Sequence, residues 1–383
     1  MRLALAYHRV APEHLGGAER YYATLCRTLA RDDRVTYLTR RAWDGPRAVV
    51  REGVELRGIG AGEGRGRLLP KLRFAAGLTA HLLRHGRDYD AVHVCCFPHA
   101  AVVAAWVGLL PHRRTLLVVD WHEVLPRVTW HERFGPVVGT AGWIAQAAAL
   151  RLGDAAVTFS EMHARRLREE GCRAPVHLVP EFHPEPQPAA GDPAADRELL
   201  VIYAGRLAPE KRAHLLAPVV AELRRRDPAW RGIVFGTGPE EARLRDALER
   251  EGVADAVELA GFAAWEEVAA AFARGRVLVL PTMREGFGLA VLEAAAQGLP
   301  SVLVRERDNA AVELIAEGRN GRVVEHADAG AIAAAVLSLA GDPGIHRSTR
   351  AWYEEASRRF DVEVTIAELR ALYADLRSAR RSR

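Results

Sequence analysis

Gly205-Arg206-Leu207-Ala208-Pro209-Glu210-Lys211 and, downstream, Glu285-Gly286-Phe287-Gly288-Leu289-Ala290-Val291-Leu292-Glu293 are the two stretches that decide how this chain is read. Each follows an apolar β-type run and couples a glycine-bearing loop to charged side chains at the mouth of a helical pattern. That arrangement suits a diphosphate and a sugar attached to it, because backbone N–H groups and a helix N-terminus attract anions. The lysine adds weight. Of 53 basic residues only Lys71 and Lys211 are lysines, so Lys211 stands where a compact, point-like ammonium is wanted instead of the usual arginine fork.

Working outward, apolar runs alternate with helical spacing along the whole chain. Arg2–Tyr7, Val35–Leu38, Ala91–Cys96, Thr115–Val119, Ala155–Phe159 and Val176–Val179 read as strands in the first half. Leu199–Tyr203, Gly232–Gly236, Ala256–Leu259, Arg276–Leu280, Pro300–Val304 and Gly321–Val324 read as strands in the second. The alternation predicts an α/β fold with parallel sheets wrapped by helices. A proline-rich, polar break over 183–198 separates the halves. The expected layout is a domain over 1–182, the linker, a second domain over 199–358, and helical patterning with a basic end over 359–383. A length of 383 residues fits two cores better than one.

The formal charge of +4 is mild, and no Lys/Arg block with interleaved aromatics is present, which argues against a nucleic-acid partner. The run Arg377 to Arg383 reads as a solvated tail, with membrane contact at most peripheral. Cys26, Cys95, Cys96 and Cys172 have neither CxxC spacing nor a disulfide framework, pointing to a reducing compartment. Met1 to Tyr7 reads as a first strand, not a signal peptide, and Ala100 to Leu110 falls short of the ~20 residues of a spanning helix. The expectation is a cytoplasmic protein.

In open α/β sheets ligands bind outside the carboxyl ends of the strands. Arg206 there can fork onto phosphate oxygens, and Lys211, expected about one turn into a helix, adds a second positive charge. Glu285 and Glu293 are not a glycosidase pair, since their spacing on a helix is about 12 Å, beyond the ~5–9.5 Å of such carboxylates. Glu285 suits sugar hydroxyls and Glu293 a ribose. Gly236-Thr237-Gly238-Pro239 lacks the third glycine of a dinucleotide fingerprint but can face phosphate or ribose, and Gly16-Gly17 can offer N–H groups at a helix start. Asp88-Tyr89-Asp90 has the DxD pattern of metal-holding transferases, yet it precedes its strand and so lies at the wrong edge of the sheet. Ser160 reads as a helix cap.

Taken together, GRLAPEK and EGFGLAVLE resemble the retaining glycosyltransferases of family 4, which have the GT-B architecture of two facing Rossmann-like domains and a C-terminal helix returning to the N-terminal one. LGGAER, Asp120-Trp121-His122-Glu123, Asp308-Asn309 and Asn320-Gly321 agree more weakly. The resemblance implies that Arg206 and Lys211 bind the donor diphosphate, Glu285 the sugar hydroxyls and Glu293 the ribose. It further implies that Gly17, Gly205, Gly238, Gly286, Phe287, Gly288 and Leu289 line the donor, that Gly261 and Phe262 frame the base, and that His122 lies near the sugar. No metal and no other cofactor is expected. The partners would be a nucleotide sugar, UDP-linked by family preference, and a hydroxyl acceptor near Tyr7, His8, His99, Trp121, Trp130 and His131. A pseudo-glycosyltransferase, an auxiliary binding subunit and a nucleotide-sugar epimerase remain open alternatives. Val179-Pro180-Glu181-Phe182 and Phe360-Asp361-Val362 depart from the family pattern.

Overall fold

Runs of Val, Leu, Ile and Ala bounded by glycine or charge become strands buried on both faces, as parallel sheets require. The computed structural model of the chain describes residues 1–14, 16–60, 69–182, 191–195 and 197–381. In chain order the first elements are β1 (Arg2–Ala6), α1 (Gly17–Leu29), β2 (Arg34–Thr39), β3 (Ala48–Arg51), β4 (Val54–Gly58), α2 (Leu69–His85), β5 (Ala91–Cys95), α3 (His99–Leu109), β6 (Leu116–Trp121), α4 (Arg127–Ala149), β7 (Ala155–Thr158), α5 (Glu161–Glu169) and β8 (Val176–Leu178). Then come β9 (Leu200–Ala204), α6 (Leu216–Arg226), β10 (Arg231–Phe235), α7 (Glu241–Arg250), β11 (Val257–Gly261), α8 (Trp265–Arg274), β12 (Val277–Leu280), β13 (Arg284–Glu285), α9 (Leu289–Ala296), β14 (Ser301–Val304), β15 (Asp308–Asn309), β16 (Gly321–Val324), α10 (Ala329–Ala340), α11 (Ile345–Ser357) and α12 (Val362–Arg381).

The chain forms two compact units, 1–184 with 360–383, and 185–359. The first holds a sheet of order β3-β4-β2-β1-β5-β6-β7-β8, parallel throughout except for β3 against β4. That edge hairpin was not expected from the sequence. Its strands are short and half polar, and its turn is carried by Glu52 and Gly53, both at positive φ, the geometry of a tight hairpin turn. α12 belongs to this unit. Tyr373 on it bonds His93 on β5 (2.5 Å), Arg370 donates to Asp32 and Asp33 (2.9 Å each), and Thr365 donates to the Pro180 carbonyl (2.7 Å). The expectation of a solvated basic tail is corrected here. Arg377 pairs with Asp90, and Arg380 pairs with Asp154 while donating to the carbonyls of Arg113 and Thr115.

The second unit has the parallel order β11-β10-β9-β12-β14-β16. β9 is central, with β10 on one side and β12 on the other, so the order reverses beside it, the position at which open α/β sheets bind their ligands outside the carboxyl ends of the strands. Of the expected linker, 183–190 and 196 lie outside the described residues, but Arg197 is packed into this unit. Its buried guanidinium donates to the carbonyls of Phe272, Gly275 and Gln297 at 2.5, 3.0 and 2.5 Å. These carbonyls end α8 and α9, where a cation complements the helix dipole. Among the described residues no helix is long and apolar enough to cross a membrane, and all four cysteines are free.

Candidate active site

The exits of β9 and β12 are neighbours in the second sheet and are tied by backbone and side chains. Met283 N–H donates to the Glu210 carbonyl (2.8 Å), and the Lys211 ammonium donates to the Arg284 carbonyl (3.3 Å). The segment after β9 does not run straight into a helix. Pro209–Lys211 and Ala213–Leu215 are single 3-10 turns, and α6 starts only at Leu216. Arg212 between them is left-handed (φ 49°) with its guanidinium on Glu306. The expectation that Lys211 stands one turn inside a helix is therefore corrected: the break at Arg212 leaves it in a tight turn whose side chain crosses to the β12 exit.

Five charges gather there. Lys211 Nζ lies 2.5 Å from Glu285 Oε2. Glu210 Oε1 accepts from Arg284 at 2.8 Å and from Arg206 at 3.3 Å. Arg284 and Glu210 are buried, whereas the Arg206 side chain is 66% exposed, so Glu210 is a fixed anion between an inner and an outer arginine. Three cations against two carboxylates leave the cluster positive, suited to an incoming phosphate. Sequence reasoning missed Arg284; its signal was an arginine beside a carboxylate at a strand exit. Tyr203 below supports the loop by donating to the Arg206 carbonyl (3.1 Å), and burial, then Glu285, push its phenol well above the usual range.

Glu285 lies on β13, which pairs in parallel with β15, and its Oε1 accepts from Gly286 N–H at 3.2 Å. Asn309 on β15 is buried and donates to the carbonyls of Thr282 (3.2 Å) and Val304 (2.9 Å), pinning this ladder to β12 and β14. Gly288 caps α9 at φ 107°, and a Cβ on it would stand 2.6 Å from Ala311 Cβ, so glycine is required. Phe287 is buried, Leu289 begins α9 half-buried, and Glu293 is buried within that helix. On the other flank, Gly205 N–H donates to the Phe235 carbonyl (3.0 Å) and Leu207 N–H to that of Thr237 (3.0 Å). A Cβ on Gly236 would lie 2.0 Å from the Gly205 oxygen, and one on Gly238 would lie 2.2 Å from that of Leu207. Gly261 ends β11 and receives the Gly236 N–H (2.7 Å), with Phe262 beside it 69% exposed. Of the expected donor residues of this unit, Gly205, Gly238, Gly261 and Phe262 lie at or just beyond the carboxyl ends of β9, β10 and β11, Gly286 to Gly288 follow β13, and Leu289 and Glu293 lie on α9.

In the first unit Gly17 opens α1, but that helix end already faces an anion. The Glu19 carboxylate folds over Gly16, accepting from Arg9 (3.3 Å) and Tyr7 (3.5 Å). His122 follows β6, its ring edge-on to Tyr21 and against Phe159 (4.7 Å), with Nε2 out of solvent and unpaired. Burial holds its pKa below the usual value although Asp120 pulls the other way. Asp120 is fully buried and bonds His93 (2.5 Å) and Tyr22 (2.7 Å). Burial alone would raise its pKa, yet His93, with its charge and hydrogen bond, and then His122 and Tyr22 hold it below the usual carboxylate range. The acceptor candidates are mostly core: Tyr7, His8, His99, Trp121 and Trp130 are buried, and His131 is half-buried against Thr140 (3.0 Å). Asp88 and Asp90 sit before β5 and bond His85, Arg2 and Arg377.

A family model described as Glycosyl transferase 4-like domain matches residues 16–181, and one described as Glycosyl transferases group 1 matches 190–359. The chain belongs to the family 4 glycosyltransferases. Its relatives include the putative colanic acid biosynthesis glycosyltransferase WcaL of Escherichia coli, 30% identical over 58% of this chain and 57% of that one. Sucrose-phosphate synthase from Thermosynechococcus elongatus has the same fold, with a TM-score of 0.81 at 20% identity over 99% of both chains. So does HepE of Anabaena in complex with UDP and glucose, with a TM-score of 0.74 at 19% identity over 98% of this chain and 99% of that one. The matched region spans 19% and 57% of the lengths of the first two curated relatives. The GT-B architecture of this family 4 chain accounts for its two α/β units of parallel sheet.

Proposed function

We propose that the chain is a retaining glycosyltransferase that moves a sugar from a nucleoside-diphosphate donor to a hydroxyl acceptor without a metal. The observation that carries this reading is the cluster of Arg206, Lys211 and Glu285 at the point where the second sheet reverses its strand order. A UDP-sugar is the favoured donor, supported by the HepE complex with UDP and glucose; a mycolicibacterial relative is named as GDP-mannose-dependent, which makes guanine the competing base.

When the sugar–phosphate bond breaks, its electron pair leaves on the diphosphate while positive charge grows on the sugar ring. Arg206 and Lys211 act where that negative charge develops, the place where fixed charges lower a barrier most. The acceptor oxygen attacks the same face of the sugar carbon that the phosphate leaves. Its proton passes to the departing phosphate oxygen, so bonds and charge balance without an enzymic nucleophile. Glu285 orients the sugar hydroxyls and Glu293 the ribose.

Thermal stabilisation by a panel of nucleotide sugars tests the donor. A ligand at about 100 times its dissociation constant adds about 2.7 kcal/mol, and a UDP-sugar should outperform its GDP counterpart. Once an acceptor is in hand, turnover should persist in EDTA with retention at the transferred carbon. Activity that EDTA abolishes and magnesium restores would overturn the metal-free part, and stabilisation by no nucleotide sugar would overturn the whole.

A further inference from the structure

Between Arg133 and Arg151 the sequence carries no charged residue, and yet this half of α4 is not buried. Gly135 (φ 74°, ψ 172°) breaks the helix ahead of Pro136. In the turns that follow, Val137 is 81%, Val138 61% and Ile144 56% exposed. Val137, Ala141, Ile144 and Ala148 are spaced so as to share one face, and all four are exposed. A helix facing water normally turns charge outward; this one turns out only apolar side chains.

Cations ride on aromatics around that face. The Arg133 guanidinium lies over Phe134 (5.0 Å), Arg127 over Trp143 (5.3 Å), and the Lys71 ammonium over exposed Phe97 (4.5 Å). Phe97 is linked to Phe134 through His99 and Trp130 with ring separations of 5.8, 5.8 and 5.3 Å. From Arg127 to Arg151 the only acid is Glu132 against three arginines; Glu170, just past α5, also borders the face by accepting from Trp143 Nε1 (3.1 Å), so with Lys71 the rim carries four cations against two carboxylates. Apolar side chains ringed by aromatics with basic heads are what a helix lying in a headgroup layer presents. A second copy of the chain is a poorer occupant. A stable interface needs about 800 Å² and 20–30 residues a side, and a single helix face with a few flanking side chains does not provide them.

We propose that the outward face of α4 docks the chain on an anionic phospholipid surface, with Val137, Val138 and Ile144 entering the acyl boundary and Arg127, Arg133 and Lys71 meeting phosphates. The attachment is peripheral and does not depend on which sugar or acceptor the chain uses.

Sedimentation with vesicles tests it. The full chain should pellet with phosphatidylcholine vesicles containing phosphatidylglycerol, pellet far less with phosphatidylcholine alone, and be released by high salt. Val137→Asp with Val138→Asp should weaken the binding at least about tenfold, given the cost of a charge at that depth, whereas Val50→Asp on the edge strand β3 should change nothing. In parallel, an environment-sensitive dye on Val138→Cys should shift to the blue on adding the anionic vesicles, a readout that survives if the aspartate variant folds poorly. The proposal is overturned if the unaltered chain ignores anionic vesicles, if the aspartate variant pellets equally, or if the dye does not shift. Self-association that the aspartates abolish, without vesicle binding, would assign the face to a second copy instead.

Discussion

Lys211 is held by two acceptors before any substrate arrives, the Arg284 carbonyl and the Glu285 carboxylate. A diphosphate therefore competes with Glu285 for the same ammonium. Removing that competitor has two opposite effects. Glu285→Gln should tighten binding of the bare nucleoside diphosphate several-fold, since it removes a partly exposed carboxylate that both repels the phosphate and occupies the same ammonium. The same change should lower kcat, because the sugar hydroxyls lose a charged partner. Calorimetry with the bare nucleotide beside steady-state rates checks both; unchanged nucleotide affinity would mean that the Lys211–Glu285 pair persists in the complex. Lys211→Ala should reduce kcat by about 10²–10³, the scale for one oriented transition-state donor. Lys211→Arg should be impaired too, since its planar fork does not fit the turn where a point charge sits between two oxygens. Near-normal turnover in Lys211→Arg would remove the case for a specific lysine. Glu285, Lys211 and Arg206 were legible in the sequence because glycine and charge stood together after apolar runs. Glu210 and Arg284 as a buried pair were not, because nothing in a sequence says which of several adjacent charges turns inward.

Parallel strands read clearly at the scale of elements, since burial on both faces leaves unbroken apolar runs such as Leu116–Val119 in β6. The β3–β4 hairpin did not, its outer strand being exposed at alternate positions, and neither did the 3-10 turns around Arg212, which the pattern of GRLAPEK could not distinguish from a helix start. The loops after β9 and β10 illustrate a contact that only three dimensions supply. Gly236 must be glycine because the Gly205 carbonyl occupies the place of its Cβ, a fact about another segment. Gly236→Ala should cost on the order of 1–3 kcal/mol through strain and displacement of that loop. It should also weaken nucleotide binding beyond what lost stability explains, because the displaced oxygen belongs to the residue before Arg206. Urea unfolding with calorimetry on the folded fraction measures both, and full stability in the variant would contradict the close approach.

Across the whole molecule, buried neutral histidines set how stability responds to acid. Burial, then Arg9, takes His8 down to about 3; burial takes His81, His99 and His346 to about 4, each from 6.5. These groups sit below their unfolded value, so their contribution is complete above pH 6.5 and is lost as pH falls from there toward about 4, or about 3 for His8, where the unfolded chain binds protons that the folded chain refuses. At about pH 5 each costs about 2 kcal/mol of stability. Three of the four lie in the first unit and only His346 in the second, so the two units should respond unequally. Calorimetric scans between about pH 7.5 and pH 5 should move the first unit's transition down further than the second's. His99→Gln keeps a donor for the Cys96 carbonyl that His99 now contacts at 2.8 Å but does not titrate, so it should flatten part of the first unit's slope. A melting temperature that stays level across that range would mean these imidazoles gain solvent or partners when protonated, and that their burial does not govern the acid limit.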